Sequence, residues 1–150
     1  MYERYYDVDK SLGYLTITTN RLMSANLRKR LLEAEIDITA EQWGILAQLW
    51  NNGSIAQDEL ANAICVDKSS LSRVLDVLER RGLVIRKRAP SDARRKVLYP
   101  TKEAEKLRTK CKEVADECSQ RLMAGVDPDE MDCCLRVLTQ IKQNLRAISD

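Results

Sequence analysis

Apolar residues recur every three or four positions over most of this chain, the spacing that gathers them on one side of a helix. The first such run, from about Ser11 to Glu35, carries Leu12, Leu15, Leu22, Met23, Leu27 and Leu31 along one side. Thr39 followed by Gln42 has capping-box spacing and predicts a second helix through Trp50, ended by NNGS. Ser54 followed by Gln57 repeats the signature and predicts a short third helix over IAQDELANAI. After the turn CVDKS comes SLSRVLDVLERRG, where Leu71, Val74, Leu75 and Leu78 form a stripe and Gly82 stands where a left-handed C-terminal cap belongs.

The period then changes. LVIRKR and KVLYPT are β-rich runs flanking RAPSDARRKV, so they predict a hairpin. The segment between them is too long for a two-residue turn, which predicts an extended, mobile tip. Helical spacing resumes after Thr101 and runs to about Met123, and Asp127, Pro128 and Glu130 supply the cap, first-turn proline and acid of a last helix. Six helices and one hairpin make the fold class mainly α with a small β-hairpin.

Two stripes near the C-terminus need a cover. Leu107, Cys111, Val114, Cys118 and Leu122 line the fifth helix, and Met131, Leu135, Leu138, Ile141, Leu145 and Ile148 the sixth. A terminal helix pair cannot bury both by itself; the first helix covers part, and a second copy of the chain is the expected cover for the rest.

At 150 residues the chain fits one continuous domain, able to bury roughly 68–70% of its unfolded surface without disulfides or metals. The five cysteines, Cys65, Cys111, Cys118, Cys133 and Cys134, are an odd number and suit free thiols in a reducing compartment. The N-terminal stretch lacks a signal-peptide pattern and no apolar run approaches a membrane span, so the expected location is the cytoplasm, with no membrane partner. No histidine, Cys-x-x-Cys pair or glycine-rich phosphate loop is present, so no metal, cofactor or catalytic apparatus is expected.

The formal net charge of +2 conceals an asymmetry. Residues 68 to 96 hold ten Lys/Arg against three Asp/Glu, a balance of +7, while the remainder holds fifteen against twenty, a balance of −5. A localised positive field is what a polyanion-binding surface needs, because each phosphate neutralised releases counterions. Helix, turn, helix and then a basic hairpin is the winged-helix plan. Its second helix fits the major groove of DNA, where Arg73 is placed to read guanine edges while Ser69, Ser70 and Ser72 meet bases or phosphates. An arginine at the hairpin tip suits the minor groove. Asp92, two residues before Arg94, either braces that guanidinium or simply shapes a turn with Pro90 and Ser91. Lys68, Arg86 and Lys87 are candidates for backbone phosphates, or are plain solvated charges.

Three stretches, ITAEQWGILAQLW, QDELANAICVDKSSLSRVLDVLERRGLVIRK and SDARRKVLYPTKEAEKL, occur in an order and spacing that resemble the MarR family of bacterial and archaeal transcription regulators, over about Leu12 to Leu107. The resemblance implies a winged helix-turn-helix lobe over 36–101 on a helical dimerisation platform formed by 1–35 and 102–150. It implies a homodimer binding pseudo-palindromic double-stranded operators, usually as a repressor, with half-sites about one helical turn, or roughly 10 base pairs, apart. By that likeness Ser69, Ser70, Ser72 and Arg73 fall on the recognition helix. Asp92 and Arg94 match the acidic-x-Arg wing motif, supported by Arg95 and Lys96.

The resemblance also implies a switch, commonly a small aromatic, often phenolic, anion bound between platform and lobe. Arg21, Met23 and Trp43 are candidates to line its pocket, although Trp43 and Met23 at helical spacing also read as core residues. Cysteine oxidation is the alternative switch, with Cys65, Cys111 and Cys118 as candidates. The peroxide-sensing members keep their reactive cysteine near the start of the first long helix, however, and here that helix has none. Cys111 and Cys118, about 10.5 Å apart along one helix, are too distant for a disulfide within it. From a different class, a winged-helix protein-interaction module whose positive patch meets an acidic protein is the competing function.

Overall fold

The computed structural model describes residues 7–149, so residues 1–6 and 150, which the expected platform included, lie outside it. After a 3-10 turn at Val8–Lys10, six α-helices and three strands follow. They are α1 (Leu12–Glu33), α2 (Ala40–Asn52), β1 (Ile55–Ala56), α3 (Gln57–Ala63), α4 (Lys68–Arg80), β2 (Val84–Ala89), β3 (Asp92–Pro100), α5 (Lys102–Leu122) and α6 (Pro128–Ser149). The chain divides into two compact units, Met1–Ala115 and Asp116–Asp150.

Within the first unit the capping signals explain most helix ends. Thr39 and Gln42 make both halves of the predicted capping box, each at 3.1 Å. The second signature fails. Ile55 and Ala56 are extended and pair antiparallel with Leu98 and Val97, so Ala56, without a side-chain cap, precedes α3. Ser54 therefore caps nothing here, because the two residues after it enter a sheet of order β1-β3-β2.

Helix α4 ends as its glycine requires. Gly82 has φ +71, its N–H donates to Glu79 at 3.0 Å, and the Leu83 N–H reaches back to Leu78 at 2.9 Å, a reverse turn that favours glycine. Thr101 then joins three elements. Its hydroxyl donates to the Gly82 carbonyl at 2.6 Å and accepts the Ala104 N–H at 3.1 Å, while its own N–H donates to Leu83. The end of α4, the root of the hairpin and the start of α5 are thus fixed by one side chain and one peptide.

The hairpin is tighter than the sequence predicts. Strands β2 and β3 close on the two-residue turn Pro90–Ser91. The surplus residues lie within β3: Arg88 pairs with Lys96 and Ala89 with Asp92, so Ala93, Arg94 and Arg95 fall outside the ladder as a bulge. The length mistaken for a long loop is strand plus bulge.

Leu31, Ile38, Ile45, Leu46, Leu49, Leu60, Leu71, Leu75, Leu78 and Leu98 are completely or almost completely buried and form the core of this unit. Leu98 sits in the central strand, opposite Ile55 of β1 on one side and Arg86 of β2 on the other. In the second unit Asp127 caps α6, accepting the N–H groups of Asp129 at 2.7 Å and Glu130 at 3.3 Å. No residue of α6 is buried.

Leu98→Ala is expected to destabilise the chain by about 2–5 kcal/mol, the range for a leucine truncated in a close-packed core. Urea denaturation checks this through the midpoint at constant slope; a loss below about 1 kcal/mol would show that the sheet is not part of the core.

Candidate nucleic-acid interface

Helix α4 buries Leu71, Leu75 and Leu78 and turns the opposite side outward. Arg73 is exposed there and Ser72 half-buried, while Lys68 is exposed at the first position of the helix. The N-terminus of α4 is organised by a residue that the sequence reading passed over, Asp67. Its carboxylate accepts the Ser70 N–H at 2.8 Å and the hydroxyls of Ser69 and Ser70, each at 2.6 Å. Those bonds, the Ser69 hydroxyl first, hold the Asp67 carboxyl well below the usual carboxylate range. The aspartate-before-helix pattern was visible as a capping signal.

This cap changes the chemistry of the two serines. A hydroxyl has one proton to give and two lone pairs. With both protons committed to Asp67, Ser69 and Ser70 present acceptors, which suit exocyclic amino groups on bases better than phosphate oxygens.

The hairpin cations divide into two groups. Arg86 is turned into the lobe: its side chain is only 13% exposed, and it pairs with Asp76 and, through Nε and Nη2 at 3.2 Å each, with both oxygens of Glu79. It braces β2 against α4 through these pairs, where the sequence offered a phosphate contact or a solvated charge. The bond to Arg86 holds the Glu79 carboxyl below its ordinary range, and Glu79 in turn raises the Arg86 guanidinium. Arg95 pairs with Asp58, at 3.5 Å, and with Glu59, both in the first turn of α3.

Among the described residues, Lys68, Arg73, Arg94 and Lys96 have no ion pair. Arg94 projects from the bulge. Asp92 does not hold its guanidinium but accepts its backbone N–H at 2.9 Å, so the turn reading of Asp92 is the one the structure shows. Lys87 lies over the Tyr99 ring at 5.5 Å.

These elements enclose an open depression of about 370 Å³ lined by Gln57, Asp58, Lys68, Asp92, Arg94, Arg95 and Lys96. The start of α4, the start of α3 and the wing bulge thus meet at one place. Lys68, Arg94 and Lys96 stand there without an ion pair, beside Asp92 and the paired Arg95 and Asp58, a net positive arrangement suited to a polyanion backbone.

None of the residues suggested for a switch is among those that line that depression. Arg21 and Met23 are exposed on α1, and Trp43 is half-buried with its ring 5.7 Å from that of Trp50. Cys111 is completely buried, and burial pushes its thiol up, which suppresses the reactive thiolate. Cys118 is half-buried and Cys65 exposed, the latter in the turn after α3 with φ +58. Among the described residues no group of three metal-ligating side chains is assembled, and no helix is long and apolar enough to cross a membrane.

A helix-turn-helix backed by a three-stranded sheet, with a cationic wing beside an outward polar helix face, defines a winged helix-turn-helix protein. Residues 38–96 match the MarR family model, and the chain belongs to the MarR family of transcriptional regulators. It is 40% identical over 83 residues to the HTH-type transcriptional regulator FarR of Neisseria gonorrhoeae, a match spanning 55% of this chain and 57% of that protein's length. It is similar to NadR in complex with 4-hydroxyphenylacetate, with TM-score 0.74 and 30% identity over 87% of this chain and 92% of that one. It is also similar to the transcriptional repressor CouR bound to a 23-mer DNA duplex, with TM-score 0.79 and 26% identity over 92% of this chain and 96% of that one.

Replacing Arg86 by methionine is expected to cost about 1–2 kcal/mol, less than a fully buried pair because both carboxylates are half exposed. Because Glu79 titrates lower folded than unfolded, its contribution is present above about pH 4.5 and is lost as pH falls through the folded value. Stability measured from pH 7 to pH 3 should therefore fall less steeply in Arg86→Met than in the native chain; parallel curves would show that the pair contributes nothing.

Proposed function

We propose that this protein is a homodimeric repressor that binds pseudo-palindromic double-stranded DNA and is released by a small aromatic anion. The observation that carries the DNA reading is the clustering of Lys68, Arg94 and Lys96, none ion-paired among the described residues, at the mouth of one depression beside the outward face of α4. A chain with net charge +2 gains nothing in stability from collecting like charges there; a phosphate backbone supplies the compensation. In this reading α4 enters the major groove with Ser69, Ser70, Ser72 and Arg73, and Arg94 enters the adjacent minor groove. Lys68 and Lys96 meet phosphates. That the similar repressor CouR is bound to a 23-mer DNA duplex supports DNA as the partner.

Dimerisation follows from what the single chain leaves uncovered. On α1, Leu12, Leu15 and Leu22 are exposed, and on α6 Leu135, Leu145 and Ile148 are more than half exposed. Isolated exposed leucines need no account, but stripes at helical spacing do. A second copy, meeting the first across a twofold axis, covers them and sets two α4 helices about one turn of DNA apart.

For release, a carboxylate-bearing aromatic is the proposed effector, with Arg21 as counter-charge and Met23 and Trp43 as apolar lining. The complex of NadR with 4-hydroxyphenylacetate supports that ligand chemistry. Such a ligand lowers DNA affinity only by favouring an α4 spacing that the operator does not fit.

Arg94→Ala is expected to weaken operator binding by about 1–3 kcal/mol and to lower the slope of log affinity against log salt by about 1. Fluorescence anisotropy with a labelled duplex at several salt concentrations reads both. Native protein that shows neither a salt slope nor a preferred duplex would overturn the DNA reading and favour the interaction module.

A further inference from the structure

The wing presents a problem of mechanical support. Between Asp92 and Lys96 the strand has no ladder partner, so Ala93, Arg94 and Arg95 are held by neither β2 nor β1. A bulged segment at a hairpin tip is free to sample many directions, and each direction lost on docking costs affinity. Asp92 fixes the Arg94 N–H, but that bond lies within the bulge and gives it no anchor to the rest of the fold.

Arg95 supplies one. Its guanidinium reaches out of the bulge to Asp58 and Glu59, 37 and 36 residues earlier in the chain. Both carboxylates belong to the first turn of α3, where negative charge is already favoured by the helix dipole. The bond to Glu59 raises the Arg95 guanidinium. Arg95 and Arg94 are neighbours with opposite fates: one is neutralised by two carboxylates, and the other has no ion pair among the described residues.

We propose that Arg95 is a positioning residue, an ionic latch tying the wing bulge to the first turn of α3 so that Arg94 is held out toward DNA, and that Arg95 itself makes no DNA contact. The inference rests on the DNA-binding reading for its purpose, but the latch is a property of the free protein. It separates two adjacent arginines that composition treats alike. A phosphate arriving at Arg95 would also meet Asp58 and Glu59, whose charges repel it.

The test compares the native chain with Arg95→Gln, Arg95→Glu and the charge exchange Arg95→Glu with Glu59→Arg. In free protein, backbone 15N relaxation of Ala93 to Lys96 should give order parameters near 0.85 for the native chain and below about 0.6 for Arg95→Glu, with recovery in the exchanged pair. With a selected duplex, Arg95→Gln should bind about tenfold more weakly while keeping the native salt slope, because no phosphate contact is lost. The exchanged pair should return to within about threefold of native affinity. Unchanged wing order in Arg95→Glu would overturn the latch. A salt slope lowered by about 1 in Arg95→Gln, or no recovery in the exchanged pair, would make Arg95 a direct contact instead. If the native chain prefers no duplex, the DNA reading fails by itself, and the relaxation data still decide whether the latch exists.

Discussion

Helix α4 has one apolar stripe, and burying Leu71, Leu75 and Leu78 beneath it is the constraint on which the rest of the interface depends. Each buried leucine contributes about 1.5–3 kcal/mol relative to exposure, far more than any surface ion pair in the molecule. That burial fixes the rotation of α4 about its axis and so decides that Arg73 points outward. The remaining freedom, tilt and end fraying, is removed by weaker but directional bonds: Asp67 at the start, Gly82 at the end and Arg86 along the side. Because Thr101 ties the Gly82 carbonyl to the first turn of α5, the same construction sets where the hairpin leaves the lobe.

Charge is then sorted on this frame. The +7 balance of residues 68 to 96 is not spread evenly over solvent. Arg86 is committed to Asp76 and Glu79, Arg81 donates to Gln42 at 3.3 Å, and Arg95 is committed to Asp58 and Glu59. Among the described residues, Lys68, Arg73, Arg80, Lys87, Arg88, Arg94 and Lys96 are left exposed without an ion pair, and Lys68, Arg94 and Lys96 of these meet at one depression. Removing some arginines to structural work sharpens the field of the others, since a cation with no carboxylate beside it attracts phosphate at longer range.

Much of this was legible from local sequence. Period-3.6 stripes, the Thr39 and Gln42 box, Gly82 and the Asp127 and Pro128 start all depend on residues within one helical turn, and the structure contains each. The misses share a cause. Ser54 and Gln57 carry the same letters as a true box, but Ile55 is recruited by Leu98, 43 residues away in sequence by pairing in the sheet. The hairpin looked long because nothing local announces a three-residue bulge. The ion pairs of Arg86 and Arg95 were not legible because their carboxylate partners lie on helices, 7 to 37 residues distant. Composition located the cationic segment correctly and said nothing about which cations were already occupied.

The family relationship makes a winged helix-turn-helix regulator of this chain, and in the proposed function two such lobes read one duplex together. Selecting bound duplexes from a random pool with the native protein tests that claim most directly. Two lobes on one duplex should enrich an inverted repeat whose half-site centres lie about 10 base pairs apart. Enrichment of isolated, unpaired half-sites, or of nothing beyond the starting pool, would contradict it.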